Sequence, residues 1–435
     1  MTKYVIETFG CQMNKYDSEL VASILNKEGY KQANSIEESD IILLNTCSVR
    51  EHAEIRVKNK VDSFNAIKRR NKKLVIGILG CMAQRLGYQL IEEKPLVDFV
   101  VGPDGYRKLP EILANINDNN GISVESTLDD METYSEIYPS RYGTVNAWVA
   151  IMRGCNNFCS YCIVPYVRGR ERSRSLQSIL DEVKKLIDEG FIEVTLLGQN
   201  VNSYQDGKTD FADLIYHVSQ ISGIKRVRFA TSHPKDLSLK LIETIANNDK
   251  ICNHIHLPIQ SGSNKILKLM NRHYTREHYI SLIETIRTHI KNPGLYTDII
   301  VGFPGESKQD FQQTQALIEQ MQFDGIFSFK YSPREGTASY QYEDTVTEGE
   351  KKERLELLNK LQKEITLKRN KQLIGTVQKI LIEGPAKKGK QNQFMGRLET
   401  NKIAVFTNSE GIKIGSLINL KIVNAEGHTL FGVVK

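Results

Sequence analysis

Six of the chain's seven cysteines fall into two groups of three, and thiolates at such spacings can hold metal. Cys155, Cys159 and Cys162 form a CxxxCxxC loop directly after the strand-like segment WVAIMRG. Four thiolates fill a 4Fe–4S cluster, whereas three leave one iron open to another ligand. An open iron can chelate the amino and carboxylate groups of S-adenosylmethionine, and one electron from the cluster then cleaves the sulfonium. The spacing therefore predicts that these three cysteines hold a catalytic, radical-generating cluster.

The other group is spread over seventy residues, yet each member lies at the end of a strand-like segment. Cys11, Cys47 and Cys81 close the runs TFGC, LLNTC and GILGC. Strand ends on one edge of a parallel sheet converge, so these thiolates can meet and hold a second cluster. Three buried structural cysteines would be the simpler interpretation, but the equivalence of position favours the cluster. Gly10 and Gly80 would let the backbone approach such a cofactor closely.

Simpler roles for the cysteines are disfavoured. Structural zinc sites usually close with four ligands, and no fourth cysteine or histidine follows Cys162 at a suitable spacing. The N-terminus lacks an apolar signal region, and no segment reaches about 18 apolar residues, so we expect a cytoplasmic chain that does not span a membrane. Disulfides are rare in that reducing compartment. Cys252 precedes a strand and is interpreted as a buried structural thiol.

The elements that position Cys11, Cys47 and Cys81 lie in the first region, where apolar strands alternate with amphipathic helices. This pattern is typical of a parallel sheet covered on both faces. We predict an α/β fold in which residues 1–116 form a doubly wound parallel sheet, followed by a polar linker over 117–143. The predicted strands are KYVIETFGC, IILLNTCSV, KLVIGILGC and DFVVGP.

The central region, 144–373, repeats the alternation with longer spacing. Its six βα units predict a partial barrel rather than a complete eight-unit one. Each strand after the first ends in polar or glycine-rich residues, and ligands of parallel α/β folds bind at the carboxyl ends of the strands. The candidate strands are WVAIMRG, EVTLLGQNV, RVRFATSHP, HIHLPIQSG, YTDIIVGFPGE and GIFSFKYSPREG.

These strand ends supply candidate contacts for S-adenosylmethionine. By analogy with other radical barrels, at least one of three residues after the second strand is expected to contact its amino group, with a plain turn as the alternative. Two residues after the fourth strand face its ribose, and one acid lines the pocket. The residues after the second strand are Gly198, Gln199 and Asn200, those after the fourth strand are Gln260 and Ser261, and the acid is Asp298. Gly302 to Gly305 either line the same pocket or only turn the chain. His233 and His256 are interpreted as core histidines without an assigned role.

The C-terminal region is basic and β-rich. From Gly375 to Lys435 there are eight lysines and one arginine against four glutamates, so most of the net charge of +6 lies there. A basic terminal module indicates a polyanion partner such as nucleic acid, although a solvated basic surface would carry the same charge. Short β runs separated by turns predict a small β-barrel over 374–435. The charged segment 347–373 is interpreted as a connector helix rather than an RNA contact.

Basic side chains in the central and C-terminal regions are candidate RNA contacts, because guanidinium groups pair well with phosphates. The arginines that alternate after the cysteine loop are interpreted as contacts with RNA backbone or cofactor, with surface ion pairs as the alternative. The candidates are Arg168, Arg170, Arg172, Arg174, Lys387, Lys388 and Arg397.

In the same order along nearly the whole chain, these segments resemble the methylthiotransferase family of radical S-adenosylmethionine enzymes. The tail is similar to the TRAM module, a small RNA-binding barrel. Ser175 departs from the family, in which a proline is common at this position. The segments that carry the resemblance are FGCQMNKYDSE, LLNTCSVRE, GCMAQR, RGCNNFCSYCIVPYVRGRERSRS, LGQNVNSY, FATSHP, LPIQSGS, YTDIIVGFPGE and YSPREGTAS.

The resemblance implies two 4Fe–4S clusters, one at each triad, and S-adenosylmethionine as radical source and methyl donor. It implies transfer of a methylthio group to C2 of a dimethylallyl-adenosine just 3′ of the anticodon of tRNA. A low-potential donor such as flavodoxin or ferredoxin would supply electrons, and we expect a monomer.

Two alternatives stay open. Sister branches of the family act on a carbamoyl-threonyl-adenosine in tRNA or on a ribosomal-protein aspartate, although their first motif usually differs at GCQMN. A non-enzymatic iron–sulfur RNA-binding redox sensor is the alternative from another class, but a sensor has no evident need for an open iron.

Overall fold

Three bodies follow one another along the chain: a parallel sheet flanked by helices, a partial barrel and a small closed barrel. This order confirms the predicted α/β fold with a C-terminal β-barrel. None of the helices described is long and apolar enough to cross a bilayer. The computed structural model describes residues 1–48, 51–117, 122–143, 145–386, 392–407 and 411–435.

The N-terminal body is a six-stranded parallel sheet with helices on both faces. Its strands are β1 (Lys3–Thr8), β2 (Lys31–Gln32), β3 (Ile41–Thr46), β4 (Val75–Gly80), β5 (Phe99–Val101) and β6 (Ser123–Glu125). Its helices are α1 (Gln12–Lys27), α2 (Glu51–Ser63), α3 (Asn65–Arg70), α4 (Cys81–Leu86), α5 (Tyr88–Glu93) and α6 (Leu109–Asn117). The sheet order is β2-β1-β3-β4-β5-β6. Strands β3 and β4 are buried along their whole length, because each face of the sheet carries its own apolar core.

The sheet extends further than predicted. Strand β6 pairs with β5 in parallel, although it lies within the segment 117–143 that was expected to be a linker. Tyr134, from the same segment, is fully buried in the core of this sheet and stacks on Tyr106. The polar composition of the segment hid these contacts, since a three-residue edge strand carries too few residues to show a period.

The central body is an open barrel of six parallel strands with helices outside. The barrel strands are β7 (Asn146–Ala150), β10 (Glu193–Leu197), β13 (Arg226–Phe229), β14 (His254–His256), β15 (Gly294–Val301) and β16 (Gly325–Lys330). Two short antiparallel pairs accompany them, β8 (Met152–Arg153) with β9 (Arg172–Ser173) and β11 (Gln205–Asp206) with β12 (Thr209–Asp210). Its helices are α7 (Val164–Arg168), α8 (Leu176–Asp188), α9 (Phe211–Ser219), α10 (Leu239–Ala246), α11 (Asn264–Leu269), α12 (Arg276–His289), α13 (Lys308–Met321) and α14 (Glu348–Lys371).

Two three-stranded parallel sheets, β7-β10-β13 and β14-β15-β16, make up this barrel. They are joined where Val227 bridges to Ile251, and the Cys252 amide donates to the Val227 carbonyl at 2.9 Å. The six predicted βα units are therefore present in sequence order. Ser175 caps α8 by accepting a hydrogen bond from the Ser178 amide, a role that explains why serine serves at this position.

Helix α14 lies against the barrel rather than standing free. It packs on β16 and α13, and one face is buried through Leu358, Gln362 and Ile365. The charged composition of this segment describes only its outer face. The segment is thus a connector, as predicted, but one that covers part of the barrel wall.

The C-terminal body is a closed five-stranded barrel in the order β17-β18-β19-β21-β20. Its strands are β17 (Val377–Pro385), β18 (Gln393–Leu398), β19 (Ile403–Thr407), β20 (Leu417–Glu426) and β21 (Thr429–Val434). It docks on the amino ends of the central strands, where Arg226 and Arg228 of β13 donate to its backbone carbonyls at 2.6–3.0 Å. The cysteine loop lies at the opposite, carboxyl end of the same strands.

Asp324 holds three segments together at this docking surface. Its buried carboxylate pairs with Lys402 of the small barrel at 2.7 Å and with Arg369 of α14 at 2.9 Å. Asp324→Asn is expected to lower the free energy of unfolding by about 3–5 kcal/mol, because it leaves buried cations uncompensated. Urea unfolding at pH 7 measures this, with the exposed Asp249→Asn as the matched control.

The ion pairs of Asp324 should make the docking of the small barrel sensitive to acid. Burial alone would raise the pKa of Asp324, but the charges of Lys402 and Arg369 outweigh it and hold this pKa below its ordinary value. The stabilisation is therefore complete above the unfolded pKa of about 3.9 and is lost as the pH falls through the lowered value. The free energy of unfolding is measured against pH for wild type and for Asp324→Asn, and it should fall more steeply in acid for wild type. Equal pH dependence in the two proteins would contradict this prediction.

Candidate functional site

The radical loop, residues 155–162, follows β8 and gathers its three cysteines into one cradle. Cys155 and Cys159 are buried and Cys162 is half-buried. Two backbone hydrogen bonds shape the turn, from the Ser160 amide to the Met270 carbonyl at 3.1 Å and from the Cys162 amide to the Cys159 carbonyl at 2.9 Å. The loop is therefore anchored to the segment after α11 as well as to its own strand.

The thiols of this cradle lie close enough to oppose each other's ionisation. Burial, and then the neighbouring Cys159, raise the pKa of Cys162 to about 12, and burial likewise raises that of Cys155. Metal ligation requires thiolates and supplies the positive charge that stabilises them. Three thiols in one short loop, two of them buried and each raising the cost of ionising its neighbours, are thus a donor set that fits an iron–sulfur cluster.

Arg272 supplies the nearest positive charge to the radical loop. Its buried guanidinium donates from Nη1 to the Cys159 sulfur at 3.2 Å and from Nη2 to the Pro258 carbonyl at 2.7 Å. Hydrogen bonds to ligand sulfurs set the reduction potential of iron–sulfur clusters. Arg272 therefore acts on the predicted cluster through Cys159.

The strand-end triad, Cys11, Cys47 and Cys81, converges at the carboxyl edge of the N-terminal sheet. Cys11 follows β1 at the start of α1, Cys47 follows β3, and Cys81 follows β4 as the first residue of α4. A hydrogen bond from Cys47 lowers the pKa of Cys11 to about 6, with a further lowering by Arg168. Cys11 is therefore prepared as a thiolate beside Cys47, and a cluster shared by the three cysteines stays a prediction.

Two glycines allow this close approach. A Cβ atom on Gly10 would lie 2.6 Å from the Cys47 Cβ, and one on Gly80 would lie 2.6 Å from the Thr46 carbonyl oxygen. Both also have positive φ, at +137° and +90°. The strand ends can meet only because these positions carry no side chain.

Helix α7 joins the two triads physically. It begins just after Cys162, and its residue Val167 packs with Ile163 against Cys81. At its last residue, Arg168 donates from Nε to the Cys81 sulfur at 3.2 Å. The start of α1 also reaches the barrel, where Met13 and Tyr16 pack on the ends of β7 and β10. The two cysteine sites are therefore linked through α7 and the start of α1.

No three His, Cys, Asp or Glu side chains of the described ranges are arranged to ligate one metal ion. A four-iron cluster is larger than a single ion, and its thiolates lie correspondingly further apart. The donor chemistry of both triads fits a cluster, which is the group that the sequence predicts.

Unpartnered polar atoms gather at the carboxyl ends of β10 and β13. Gln199 Oε1, Asn200 Oδ1, Ser232 Oγ and His233 Nε2 are buried and have no hydrogen-bond partner within the described part of the chain. His233 accepts the Lys235 amide at Nδ1, so its neutral ring carries the proton at Nε2. Burial, and then Arg272, lower the pKa of His233 to about 2, which keeps the ring neutral. Buried polar groups are normally paired, so these atoms indicate a polar ligand.

A pair of opposite charges lies beside these atoms. Lys235 Nζ is 3.7 Å from Asp236, and it donates to the Asn157 side chain of the radical loop at 2.9 Å. Asn157 in turn reaches the Cys155 sulfur at 3.6 Å, while Asn200 donates to Asp236 at 2.8 Å. A cation and an anion side by side next to the cluster cradle match the zwitterionic amino-acid end of S-adenosylmethionine.

The other predicted cofactor contacts occupy different places. Gly198 packs tightly on Met152, and Gln260 has φ of +77° with its backbone bonded to β15. Asp298 pairs with His256 at 2.7 Å, half-buried on neighbouring strands. Ser261 is fully buried, and its hydroxyl lies against Thr314 and the Ser263 amide, so nothing in this arrangement supports the predicted ribose contact.

The structure corrects the interpretation of the alternating arginines. Three of them are at most 7% exposed and their guanidinium groups bond to buried carboxylates, because this segment is covered by the N-terminal body. Their burial argues against direct RNA contact and places them in buried rather than surface ion pairs, while Arg168 also donates to the Cys81 sulfur and so keeps the predicted contact with a cofactor open. The pairs are Arg168–Asp17, Arg172–Asp104 and Arg174–Glu182.

The remaining candidates for RNA contact differ in exposure. Arg170 is exposed and stacks over Phe158 of the radical loop at 4.4 Å. Arg397 is partly buried and paired with Glu383 at 2.7 Å. Lys387 and Lys388 lie outside the described residues.

Sequence reasoning missed Arg272, Lys235 and Asp236. No spacing rule links Arg272 to a cysteine 113 residues away. Lys235 and Asp236 follow the FATSHP segment at a strand end, so the polar strand-end signal that selected other residues could have included them.

Family comparisons agree with this architecture. The Radical SAM superfamily matches residues 149–318, Uncharacterized protein family UPF0004 matches 3–102, and the TRAM domain matches 371–435. The solved structure of the radical S-adenosylmethionine methyltransferase TsrM from Kitasatospora setae, with cobalamin and a [4Fe-4S] cluster bound, has a TM-score of 0.59 at 13% identity. It covers 76% of this chain and 75% of that chain. At this identity the likeness concerns the fold.

Curated relatives are similar over the full length. A tRNA-2-methylthio-N(6)-dimethylallyladenosine synthase of Thermoanaerobacter pseudethanolicus is 46% identical over 99% of this chain and 92% of the relative. One of Carboxydothermus hydrogenoformans is 45% identical over 99% of both. With both cysteine triads in place on the matching domains, the chain belongs to the tRNA-2-methylthio-N(6)-dimethylallyladenosine synthase family of radical S-adenosylmethionine methylthiotransferases.

Proposed function

We propose that this chain transfers a methylthio group to C2 of N6-dimethylallyladenosine just 3′ of the anticodon in tRNA. The observation that supports the proposal most is that α7 and the start of α1 link the two three-cysteine segments at the carboxyl end of the barrel strands. Replacing an inert C–H bond with C–S needs a hydrogen-abstracting centre and a sulfur supply within reach of the same base. The names of the relatives supply the substrate.

The radical loop would hold the first cluster through Cys155, Cys159 and Cys162. When bound, this cluster supplies the electron that splits S-adenosylmethionine into methionine and a 5′-deoxyadenosyl radical. The hydrogen from adenine C2 leaves in 5′-deoxyadenosine. The protein's part is to orient S-adenosylmethionine and exclude water, and Arg272 fixes Cys159 for this.

The strand-end triad would hold the second cluster, which supplies the sulfur, and another S-adenosylmethionine supplies the methyl group. Cys11, Cys47 and Cys81 each leave a strand end at the same edge, so their thiolates can share one group. Met13 and Tyr16 cover the Cys11 side of this edge with apolar surface, packed against the ends of β7 and β10. A covered space protects a carbon radical from side reactions.

S-adenosylmethionine would bind against β10 and β13. The acceptors Gln199 and Asn200 suit its amino group, and the donors Lys235 and His233 Nε2 suit its carboxylate. Gly198 leaves no side chain between this strand end and Met152, Gln260 follows β14 with its amide bonded to the Asp298 carbonyl, and Asp298 of β15 pairs with His256. This assignment extends the predicted amino-group contact by the residues after β10 to a full zwitterion site.

Lys235→Met is expected to weaken S-adenosylmethionine binding about tenfold or more, because it removes a charge-assisted hydrogen bond to the carboxylate. Equilibrium dialysis with reconstituted protein measures the dissociation constant, and Lys184→Met on the exposed face of α8 is the control. Equal affinity in the Lys235 and Lys184 variants would remove Lys235 from the site.

The tRNA would approach beside the radical loop. Arg170 and Phe158 form an exposed cation–aromatic pair there, and a neighbouring cavity of about 550 Å³ is lined by Lys268 and Tyr342 among others. Cations pair with phosphates, and aromatic rings stack on splayed bases. A low-potential flavodoxin- or ferredoxin-like donor, a monomeric state and a cytoplasmic location complete the proposal.

Anticodon stem-loops test the proposal directly. Anaerobically reconstituted protein is given reductant, S-adenosylmethionine and a stem-loop with or without the dimethylallyl group, and the nucleosides are weighed by mass spectrometry. A methylthio mass gain only on the prenylated adenosine is expected. Modification of a carbamoyl-threonyl stem-loop or of a ribosomal protein instead, or RNA binding without S-adenosylmethionine cleavage, would reject it.

A further inference from the structure

Alternate residues of the central strands face the lumen of the open barrel. One set belongs to the apolar core under the outer helices, as Ile255 of β14 and Ile299 of β15 do. The residues between them point the other way, since successive side chains of a strand lie on opposite faces. His256 is thus a lumen residue rather than the core histidine expected from the sequence. The lumen-facing set includes Trp148 of β7, His256 of β14, Asp298 of β15 and Phe327 of β16.

The amino end of this lumen is filled by side chains. His254 and Tyr296 lie two residues earlier on β14 and β15, with ring centres 5.0 Å apart. Asn401 of the C-terminal barrel lies beside them, 3.3 Å from His254 Nε2. His256 and Asp298 are therefore the next layer toward the carboxyl end, and this layer forms the floor of the space that remains.

The side of the lumen is open between β7 and β16. These are the outer strands of the two sheets, and each pairs on one side only within the described ranges. Each presents an aromatic ring to the lumen. Trp148 of β7 packs in the same apolar cluster as Cys11 of the strand-end triad, whereas Phe327 of β16 is 52% exposed. An aromatic ring left half-exposed in a concave site suits stacking with a planar ligand.

A hydrogen-bonded pair lies beside Phe327 on this floor. His256 Nε2 is 2.7 Å from Asp298 Oδ1, and the Phe327 ring lies edge-on to the His256 ring with centres 5.6 Å apart. Both side chains of the pair are only partly buried, at 18% and 23% exposed. Asp298 Oδ2 has no hydrogen-bond partner among the described residues. The pair therefore offers a carboxylate oxygen to a ligand that donates an N–H group.

We propose that the lumen binds the target adenine, with its ring stacked on Phe327 and its N6 hydrogen donated to Asp298. The inference rests on the proposed function, which makes an adenine of tRNA the substrate, and it identifies the residues that hold this base. A dimethylallyl group leaves one hydrogen on N6, so the prenylated base keeps the donor. Because N1 separates C2 from C6 in the ring, anchoring N6 on the floor leaves C2 free to face the carboxyl end of the strands. His256 holds the carboxylate in place for this contact.

Fluorescence anisotropy with labelled anticodon stem-loops tests the stacking contact. Anaerobically reconstituted full-length protein, with S-adenosylmethionine and no reductant, is given a loop with prenylated adenine or a loop with an abasic target position. Wild type should prefer the adenine loop by about tenfold or more, and Phe327→Leu should lose most of this preference while binding the abasic loop like wild type. Tyr216→Leu on α9, 50% exposed, is the matched control and should keep the preference. A Phe327→Leu protein that keeps the wild-type preference, or that binds both loops equally more weakly, would overturn the proposal.

A matched pair of bases tests the N6 contact. One loop carries dimethylallyl-adenine, and in the other an ether oxygen replaces N6, which keeps the prenyl group but removes the donated hydrogen. Wild type should bind the ether loop about tenfold more weakly, whereas Asp298→Ala should bind both loops equally. An Asp298→Ala protein that still discriminates as wild type does would overturn the proposal. If one of the two variants binds no RNA at all, the other decides the outcome, because each contact has its own pair of loops.

Two further measurements separate the lumen site from the cofactor pocket and from the proposed function. Equilibrium dialysis should give both variants the S-adenosylmethionine affinity of wild type. A weaker affinity in Asp298→Ala with unchanged base preference would place Asp298 in the cofactor pocket and overturn the base contact. If wild type modifies the prenylated stem-loop and both variants discriminate between loops as wild type does, only the lumen site fails. If wild type modifies no stem-loop, the proposed function fails and the lumen site with it.

Discussion

Replacing Cys159 with alanine is expected to lower 5′-deoxyadenosine release below about 1% of the wild-type rate, because two remaining thiolates do not retain a four-iron cluster. Cys159 is one of the two buried cysteines of the radical loop, and it also accepts the Arg272 hydrogen bond at 3.2 Å. Its loss removes a cluster ligand and also leaves the buried Arg272 guanidinium without one of its hydrogen-bond acceptors. Methylthiolation should stop with it, since the carbon radical is no longer made.

Chromatographic quantification of 5′-deoxyadenosine from S-adenosylmethionine and reductant measures this effect. Cys252→Ala is the matched control, because Cys252 is equally buried but lies beside β13 near Arg226 and Arg228, away from both triads. It should keep both activities. Normal release of 5′-deoxyadenosine by Cys159→Ala would show that the radical loop is not the reducing site.

The cysteine sites could be predicted because their determinants are local. The radical loop is continuous in sequence, and each member of the strand-end triad follows an apolar run that could only be a buried strand. Parallel strands then bring their carboxyl ends to one edge without further information. Gly10 and Gly80 were recognised for the same reason, since a glycine before a strand-end cysteine indicates close backbone approach.

The arginines were misinterpreted because their partners are distant in sequence. Arg153 and Arg168 meet Asp17 across 136 and 151 residues, and Arg172 meets Asp104 across 68. A segment with arginine at every second position could be an exposed strand that binds phosphates or a buried strand whose arginines form ion pairs. Only the docking of the N-terminal body on the barrel decides between them, and that docking depends on side chains from both bodies.

The placement of the C-terminal barrel was equally hidden. Arg226 and Arg228 bond to backbone carbonyls of the small barrel, which any residue could supply. Because every residue has a backbone carbonyl, the sequence of the small barrel does not show which of its residues accept these hydrogen bonds. Composition predicted the barrel and its charge, but the surface that it covers follows from carbonyl positions in the folded chain.

Replacing Cys47 with alanine is expected to separate the two chemistries that Cys159→Ala abolishes together. Cys47 lies at the end of β3 in the strand-end triad and hydrogen-bonds to Cys11. Its loss removes a ligand of the sulfur-supplying site and leaves the radical loop's own ligands intact. Deoxyadenosine release should stay within about threefold of wild type, whereas methylthiolation of the prenylated stem-loop should fall below about 1%.

Measuring both products in one reaction makes the comparison internal, because 5′-deoxyadenosine and methylthio-adenosine are then quantified from the same enzyme. Cys47→Ser is the conservative companion, since serine keeps the size of the side chain but is a poor ligand for iron in place of a thiolate. It should resemble Cys47→Ala in both products. If instead either variant loses deoxyadenosine release as completely as Cys159→Ala, the two triads do not divide radical formation and sulfur supply between them. The strand-end site would then be needed to assemble the radical site, not to deliver sulfur to its product.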